Sequence, residues 1–284
     1  MALGAQLSSG EEARAFAESV AGVLGRSGWS APAWAPGEVL DEPPSTVTRA
    51  LEELGWSALA GEPDLVVFAG LGAVELGRRL GPLTAIDGLL GGAPAVGDLV
   101  RTPVWDRASD WAALSAVDGA MVRRPVLRSE PLASADGLCV HRLLELGEPE
   151  LVDASGWLVA LGAWLAANVG YLAGVGQGAL ELTVDYVRQR RAFGTTLAAL
   201  APVQQLLADA ATAVRGVSLL AADGPGVDAL GHAGEAIAGA CAACHQVSGA
   251  IGYTLEHPLH RYSQRARALA TWNDALLGLL RPGD

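Results

Sequence analysis

The chain has 284 residues, 51% of them hydrophobic and 18% charged, with a formal net charge of −12. That length allows one large domain or two modest ones, and the low charge excludes disorder over the whole chain. The acidic balance argues against a protein that binds nucleic acid by coating phosphates, because counterion release needs clustered cations. All 19 basic residues are arginine, which rules out Schiff-base chemistry and a P-loop lysine. Cys139, Cys241 and Cys244 are the three cysteines, too sparse for a disulfide framework, so a reducing cytoplasm is expected. The first residues, MALGAQLSSGEEARAF, have no basic region followed by an apolar one and do not read as a signal peptide.

In chain order, residues 11–24 predict an amphipathic helix: Ala15, Phe16, Val20 and Leu24 recur near period 3.6. Ser9, three residues before Glu12, fits a capping box. The following stretch, SGWSAPAWAPGEVLDEPPS, is too rich in Pro and Gly for regular helix. Residues 45–54 predict a second helix stopped by Gly55, and residues 64–80 a third, ending at Arg78, Arg79 and Gly81-Pro82. From 96 to 146 short apolar runs (AALSAVDG, AMVRRPVL, GLCVHRLLEL) alternate with Pro, Asp and Gly, which predicts about three to five short strands. Beyond Asp153 four long helical segments follow, at 153–191, 202–220, 226–251 and 259–280. Short connections between them predict a four-helix bundle.

Residues 155–180 carry no charge, a length sufficient to span a bilayer. We read them instead as a buried bundle helix: the stretch holds six glycines, Asn168 and Gln177, and runs without a break into Glu181, Asp185 and Arg188. No membrane partner is expected. Gly174, Gly176 and Gly178 fall mid-helix, where close helix packing accounts for them better than phosphate binding. Cys241-Ala242-Ala243-Cys244-His245 has the spacing of a haem attachment site. It lies inside a helical pattern, where both cysteines serve as small apolar residues, and no second ligand pair follows at a finger-like spacing, so no metal site is expected. Trp29, Trp34, Trp105 and Trp111 fall in loops or the strand region, as walls of a cavity or of a subunit interface.

Three ordered blocks carry a resemblance. Tyr186-Val187-Arg188-Gln189-Arg190-Arg191-Ala192-Phe193-Gly194 resembles the Y-x-x-x-R-x-x-F-G signature of acyl-CoA dehydrogenases, and Pro202-Val203-Gln204 follows it as in that family. The run from His245 to Tyr262, HQVSGAIGYTLEHPLHRY, resembles the family's second signature. More weakly, LEELGW at 51–56 and ELGRRLGPL at 75–83 resemble its N-terminal helical domain. The resemblance implies a mainly α fold: an N-terminal helical domain over 1–95, a truncated β segment over 96–150 and a C-terminal four-helix bundle over 151–284. The family's T-E-x-x-x-G-S-D segment is absent. In this the chain resembles the short, barrel-depleted subunits of actinobacterial steroid catabolism, which pair with a fuller subunit in an α2β2 heterotetramer.

The same resemblance implies FAD as cofactor, shared with a partner, and an acyl-CoA substrate, bulky and possibly steroid-derived, that is dehydrogenated between Cα and Cβ. Arg190, Phe193, Gln246 and Gly249 match the family's flavin contacts, Arg190 being suited to a pyrophosphate. The bland reading of Arg190 and Arg191 is a solvated helix end favoured by the macrodipole. Ala250 replaces a second glycine, and Leu200-Ala201 an F-Q pair. The family's catalytic Glu falls at one position on Asn273 and at the other on Trp164. Asp274 is displaced by one residue, about 100° around a helix. The expectation is a non-catalytic subunit that helps bind FAD, either beside a larger acyl-CoA dehydrogenase subunit or as a homo-oligomer. The alternatives are an FAD-free protein acting on a thioester or natural-product intermediate without redox chemistry, and a structural scaffold.

Overall fold

The computed structural model describes residues 2–29, 38–39, 46–101, 112–117, 120–134 and 138–280. Trp34, Trp105 and Trp111 lie outside these residues. The chain opens with helices α1 (Ala2–Arg26), α2 (Thr46–Glu53), α3 (Val66–Arg78) and the short α4 (Thr84–Asp87). The first begins nine residues before the expected start, so Ser9 and Glu12 lie within it and do not cap it. Residues 2–7, ALGAQL, are mostly strong helix formers and extend it. The third begins later than expected, because Pro63 opens a separate 3-10 turn, Pro63–Leu65, before α3. Gly55 takes φ +83 just after α2, the left-handed geometry of a helix stop. Phe16 on α1 sits between Trp56 and Phe68, with ring centroids 6.2 and 5.9 Å away.

The strand region holds more pairing than the sequence suggests. Strands β1 (Glu38–Val39), β2 (Ala93–Val96), β3 (Leu99–Val100), β4 (Ala112–Val117), β5 (Ala120–Ser134), β6 (Val140–Leu146) and β7 (Glu150–Leu151) form one sheet. The short apolar runs become β4, β5 and β6. Five strands close on themselves. The first half of β5 pairs with β4, β4 runs parallel to β2, β2 turns into β3, β3 pairs with β6, and β6 returns to the second half of β5. Register shifts between Val126 and Ser129 bend β5 and let one strand serve both neighbours. Closure leaves no free edge within the circuit. Small side chains fit its narrow interior: Ala93, Ala95, Val100, Ala113 and Val126, with Leu143 and Leu146 against them. The segment is thus a miniature barrel.

The bundle consists of α5 (Ala154–Gln189), α6 (Ala201–Ala222), α7 (Val227–Ser248) and α8 (Leu259–Leu280). A tight hairpin, β8 (Arg191–Ala192) and β9 (Thr195–Thr196), joins α5 to α6. The third bundle helix stops at Ser248 rather than 251, because Gly249 at φ +65 turns the chain into a 3-10 segment, Gly249–Tyr253. The side chain of Asp153 caps α5, accepting from the Gly156 amide at 2.8 Å.

Helix α5, uncharged over 155–180, is the axis of the molecule, with Trp164 and Tyr171 among its fully buried side chains. It is one helix long and apolar enough to cross a membrane, but 78% of that apolar window is buried within the protein. Its glycines seat α3 alongside in parallel. A Cβ at Gly170 would overlap the Gly70 carbonyl, one at Gly174 the Val74 carbonyl, and one at Gly77 the Tyr171 carbonyl. This contact at four-residue spacing is what the mid-helix glycines provide. At its end Arg78 pairs with Glu181 at 2.8 Å, and Tyr262 of α8 donates to the Arg78 carbonyl at 3.0 Å.

Candidate functional site

Two places concern function. The first lies at the far end of the bundle, where the up-down-up-down order brings together the C-terminal ends of α5 and α7 and the start of α8. Arg190 ends α5, exposed, and its guanidinium makes no hydrogen bond or ion pair among the described residues. Phe193 is the tip of the β8–β9 hairpin. It is 91% exposed and holds φ +53, with Gly194 at +82. The hairpin requires left-handed geometry at its two central residues. Gly194 meets it freely, whereas Phe193 meets it at a steric cost.

Gln246 and Gly249 sit on the neighbouring α7 terminus, both exposed. Nothing lies within 4 Å of a Cβ built on Gly249, so its backbone is open to approach. Tyr186 of α5 meets His257 edge-on at 6.0 Å, tying the two ends together. No hydrogen bond or ring contact joins Arg190 or Phe193 directly to Gln246 or Gly249 among the described residues. The same end exposes Ile251, Tyr253 and Leu255.

Around these stand three histidines. His245 is buried, stacks on Tyr253 at 4.8 Å, and leaves its Nδ1 without a partner among the described residues. Burial, then the charge of Arg267, holds its pKa below the usual 6.5. His257 is lowered by burial and by His260. His260 lies 2.7 Å through Nδ1 from the His257 carbonyl. Cys241 and Cys244 are buried free thiols whose pKa values burial pushes up, which makes them inert. Among the described residues no cluster of metal-ligating side chains occurs. Trp29 donates to the Arg79 carbonyl at 3.1 Å and packs on the core.

The second place lies where the bundle meets the miniature barrel, and sequence reasoning missed its organiser. Arg101 follows β3, fully buried. Its Nε and one terminal nitrogen donate to the two oxygens of Asp87 at 3.1 and 2.9 Å. That nitrogen also donates to Asn168 Oδ1 at 2.6 Å, and the other donates to Asn273 Oδ1 at 3.3 Å. Trp164 donates from its indole to Asp87 Oδ1 at 2.9 Å, and its ring lies 5.9 Å from the guanidinium carbon. The two positions proposed for a catalytic base, Trp164 and Asn273, therefore converge on one buried ionic knot. Asp274, the displaced alternative, is exposed and takes no part in it.

Residues 155–224 match the model of the acyl-CoA dehydrogenase C-terminal domain. In that segment the chain is similar to acyl-CoA dehydrogenases. It is 34% identical over 110 residues to acyl-CoA dehydrogenase FadE28 of Mycobacterium tuberculosis, covering 34% of this chain and 32% of that one. It is 30% identical over 146 residues to 3-sulfinopropanoyl-CoA desulfinase of Paraburkholderia xenovorans, covering 46% and 37%. The chain spans about a third of the length of these curated relatives. Two solved structures show the same acyl-CoA dehydrogenase fold along nearly the whole chain. The Tcur3481-Tcur3483 steroid acyl-CoA dehydrogenase variant has a TM-score of 0.69 at 19% identity, covering 96% of this chain and 98% of that one. The ChsE4-ChsE5 complex of Mycobacterium tuberculosis has 0.59 at 16%, covering 98% and 95%.

Proposed function

We propose that this chain is the non-catalytic subunit of an FAD-dependent acyl-CoA dehydrogenase acting on a bulky, steroid-like acyl-CoA in the cytoplasm. Its bundle end faces the flavin of a larger partner subunit. The observation that carries this reading is Phe193, an aromatic ring held in a costly backbone conformation with almost all its surface in water, near Arg190, whose guanidinium has no partner among the described residues. Alone, such a residue loses free energy twice, through strain and through exposed apolar area. A covering partner recovers the apolar area and so offsets the strain.

The residues present fit FAD. Arg190 offers a forked cation suited to a pyrophosphate, Phe193 a flat apolar face, Gln246 an amide, and Gly249 a backbone that nothing shields. FAD, when bound, supplies the hydride acceptor of the dehydrogenation. This chain's residues hold and orient it. Neither position that would hold the family's base offers one: Trp164 donates its only polar hydrogen to Asp87, and an amide at Asn273 is not a base. Structural relatives with two names in their descriptions, Tcur3481-Tcur3483 and ChsE4-ChsE5, support heteromeric assembly, and the first, described as a steroid enzyme, supports a steroid-like substrate.

A second reading is favoured by one relative. A 3-sulfinopropanoyl-CoA desulfinase shares 30% identity with this chain over 146 residues; its name describes loss of a sulfinate group from an acyl-CoA, which fits a protein that handles a thioester without dehydrogenating it, the alternative here being FAD-free. Flavin content separates the two. The chain is purified alone and co-expressed with a larger acyl-CoA dehydrogenase subunit, and absorbance near 450 nm is read after denaturation. Flavin in the pair only, at less than one per chain, supports the subunit reading. Flavin in neither preparation overturns it.

A further inference from the structure

One buried titratable group at the bundle end takes no part in holding flavin. His245 stands in the last turn of α7, and the 3-10 segment Gly249–Tyr253 folds back over it. The Tyr253 ring stacks on the imidazole from above while keeping 71% of its own surface in water. A Cβ at Gly252 would stand 3.2 Å from His245 Nδ1 and 3.0 Å from Ser248 Cβ, so the segment lies directly on both residues. Neither His245 Nδ1 nor Ser248 Oγ has a hydrogen-bond partner among the described residues. The cover is therefore held over these two side chains by stacking and fit, and both suit a neutral ring. Gly249, at φ +65 with nothing within 4 Å of a Cβ, is a free hinge at its start. On its outer side the cover carries Ile251 and Tyr253, with Leu255 just beyond, as an exposed apolar patch.

We propose that the Gly249–Tyr253 segment is a proton-sensitive latch: neutral His245 holds it shut, and a proton taken from solvent by the buried imidazole lifts Tyr253 and breaks up the patch that meets the partner subunit. A charged ring in this position must regain water, and the stacked Tyr253 and its hinged segment are what stand in the way. The titratable and charged groups acting on His245 are Tyr253 from the segment, His257 from the turn after it, and Arg267 and His260 from α8; α5 and α6 contribute none among the described residues. The Gly252 backbone favours the charged ring, but burial and then Arg267 outweigh it, so the neutral form prevails in the closed state. The link to assembly rests on the subunit reading. The latch itself stands on this chain alone.

Hydrogen exchange read by mass spectrometry, corrected for the intrinsic rate at each pH, tests the latch on the isolated chain between about pH 7 and about pH 5, the range in which histidine changes charge. Protection of residues 249–257 is expected to fall by up to about tenfold per pH unit once His245 takes its proton, while the middle of α5 keeps its protection. His245→Phe keeps the stack and cannot titrate, so its segment should stay closed throughout. His257→Gln should open as the parent does. A parent segment that stays closed, or one that opens equally in His245→Phe, overturns the latch. If the Phe variant does not fold, His245→Gln takes its place with the same expected absence of pH dependence. Sedimentation velocity then follows the co-expressed pair over the same range. The parent pair should come apart toward low pH and the His245→Phe pair should not. Equal dissociation of both pairs, or a pair that holds while the segment opens, overturns the link to assembly. A chain that forms no pair at neutral pH fails the subunit reading, and the exchange result still decides the latch.

Discussion

The carboxylate of Asp87 and the guanidinium of Arg101 form a two-pronged ion pair with neither side chain reaching solvent. Such a pair adds little stability over an apolar filling, yet breaking it from one side is severe, because the surviving charge stays buried. Arg101→Leu is expected to cost about 3–5 kcal/mol. The double variant Arg101→Leu/Asp87→Leu should recover most of that loss. Urea unfolding of the four proteins in this cycle measures it. Equal losses in the single and double variants would contradict the knot as described.

The crossing of α3 and α5 leaves no space at its glycines. Gly174→Val pushes a side chain into the Val74 carbonyl, and backbone cannot yield as a side chain can. The expected loss is about 1–3 kcal/mol, or failure to fold. Gly216 on α6 is exposed, with nothing within 4 Å of its would-be Cβ. Gly216→Ala should therefore stabilise by about 0.5–1 kcal/mol. Thermal melts of both variants, compared with the parent, check the contrast.

Phe193 separates stability from assembly. Phe193→Gly relieves the left-handed strain and should raise the stability of the isolated chain by about 1 kcal/mol. The same change removes the exposed ring, so flavin retention and co-purification with the partner should fall. A variant that is stabilised and still assembles fully would remove Phe193 from the interface. Arg190→Gln, without any backbone effect, should weaken flavin retention and leave the melting temperature of the isolated chain unchanged.

Local pattern made much of this fold legible. The helix over 259–280 is where the apolar spacing puts it, and the runs at 112–117 and 140–146 are strands. Barrel closure was not legible, because it depends on a parallel pairing of β2 with β4 and on irregular register within β5. No local period encodes either feature. The motifs led to Trp164 and Asn273 but not to Arg101. Asp87, Arg101, Asn168 and Asn273 lie far apart along the chain, and each alone reads as an ordinary polar residue. Asn168 in the uncharged stretch 155–180 was the available signal, since a buried amide needs a partner.

The histidines give the bundle end a pH dependence with a definite sign. His245 and His257 are held below the usual 6.5 by burial and neighbouring positive charge. Below pH 6.5 the unfolded chain takes up protons that the folded chain refuses, so stability falls as pH drops through 6.5 toward the folded values and is complete above that range. Groups facing His245 include Tyr253, Arg267, His257 and His260. The melting temperature should therefore decline between pH 7 and pH 5, and His245→Phe should flatten the decline, His257 supplying what remains. Differential scanning calorimetry across that range reads it, and an unchanged slope in the variant would show that His245 is not the group responsible.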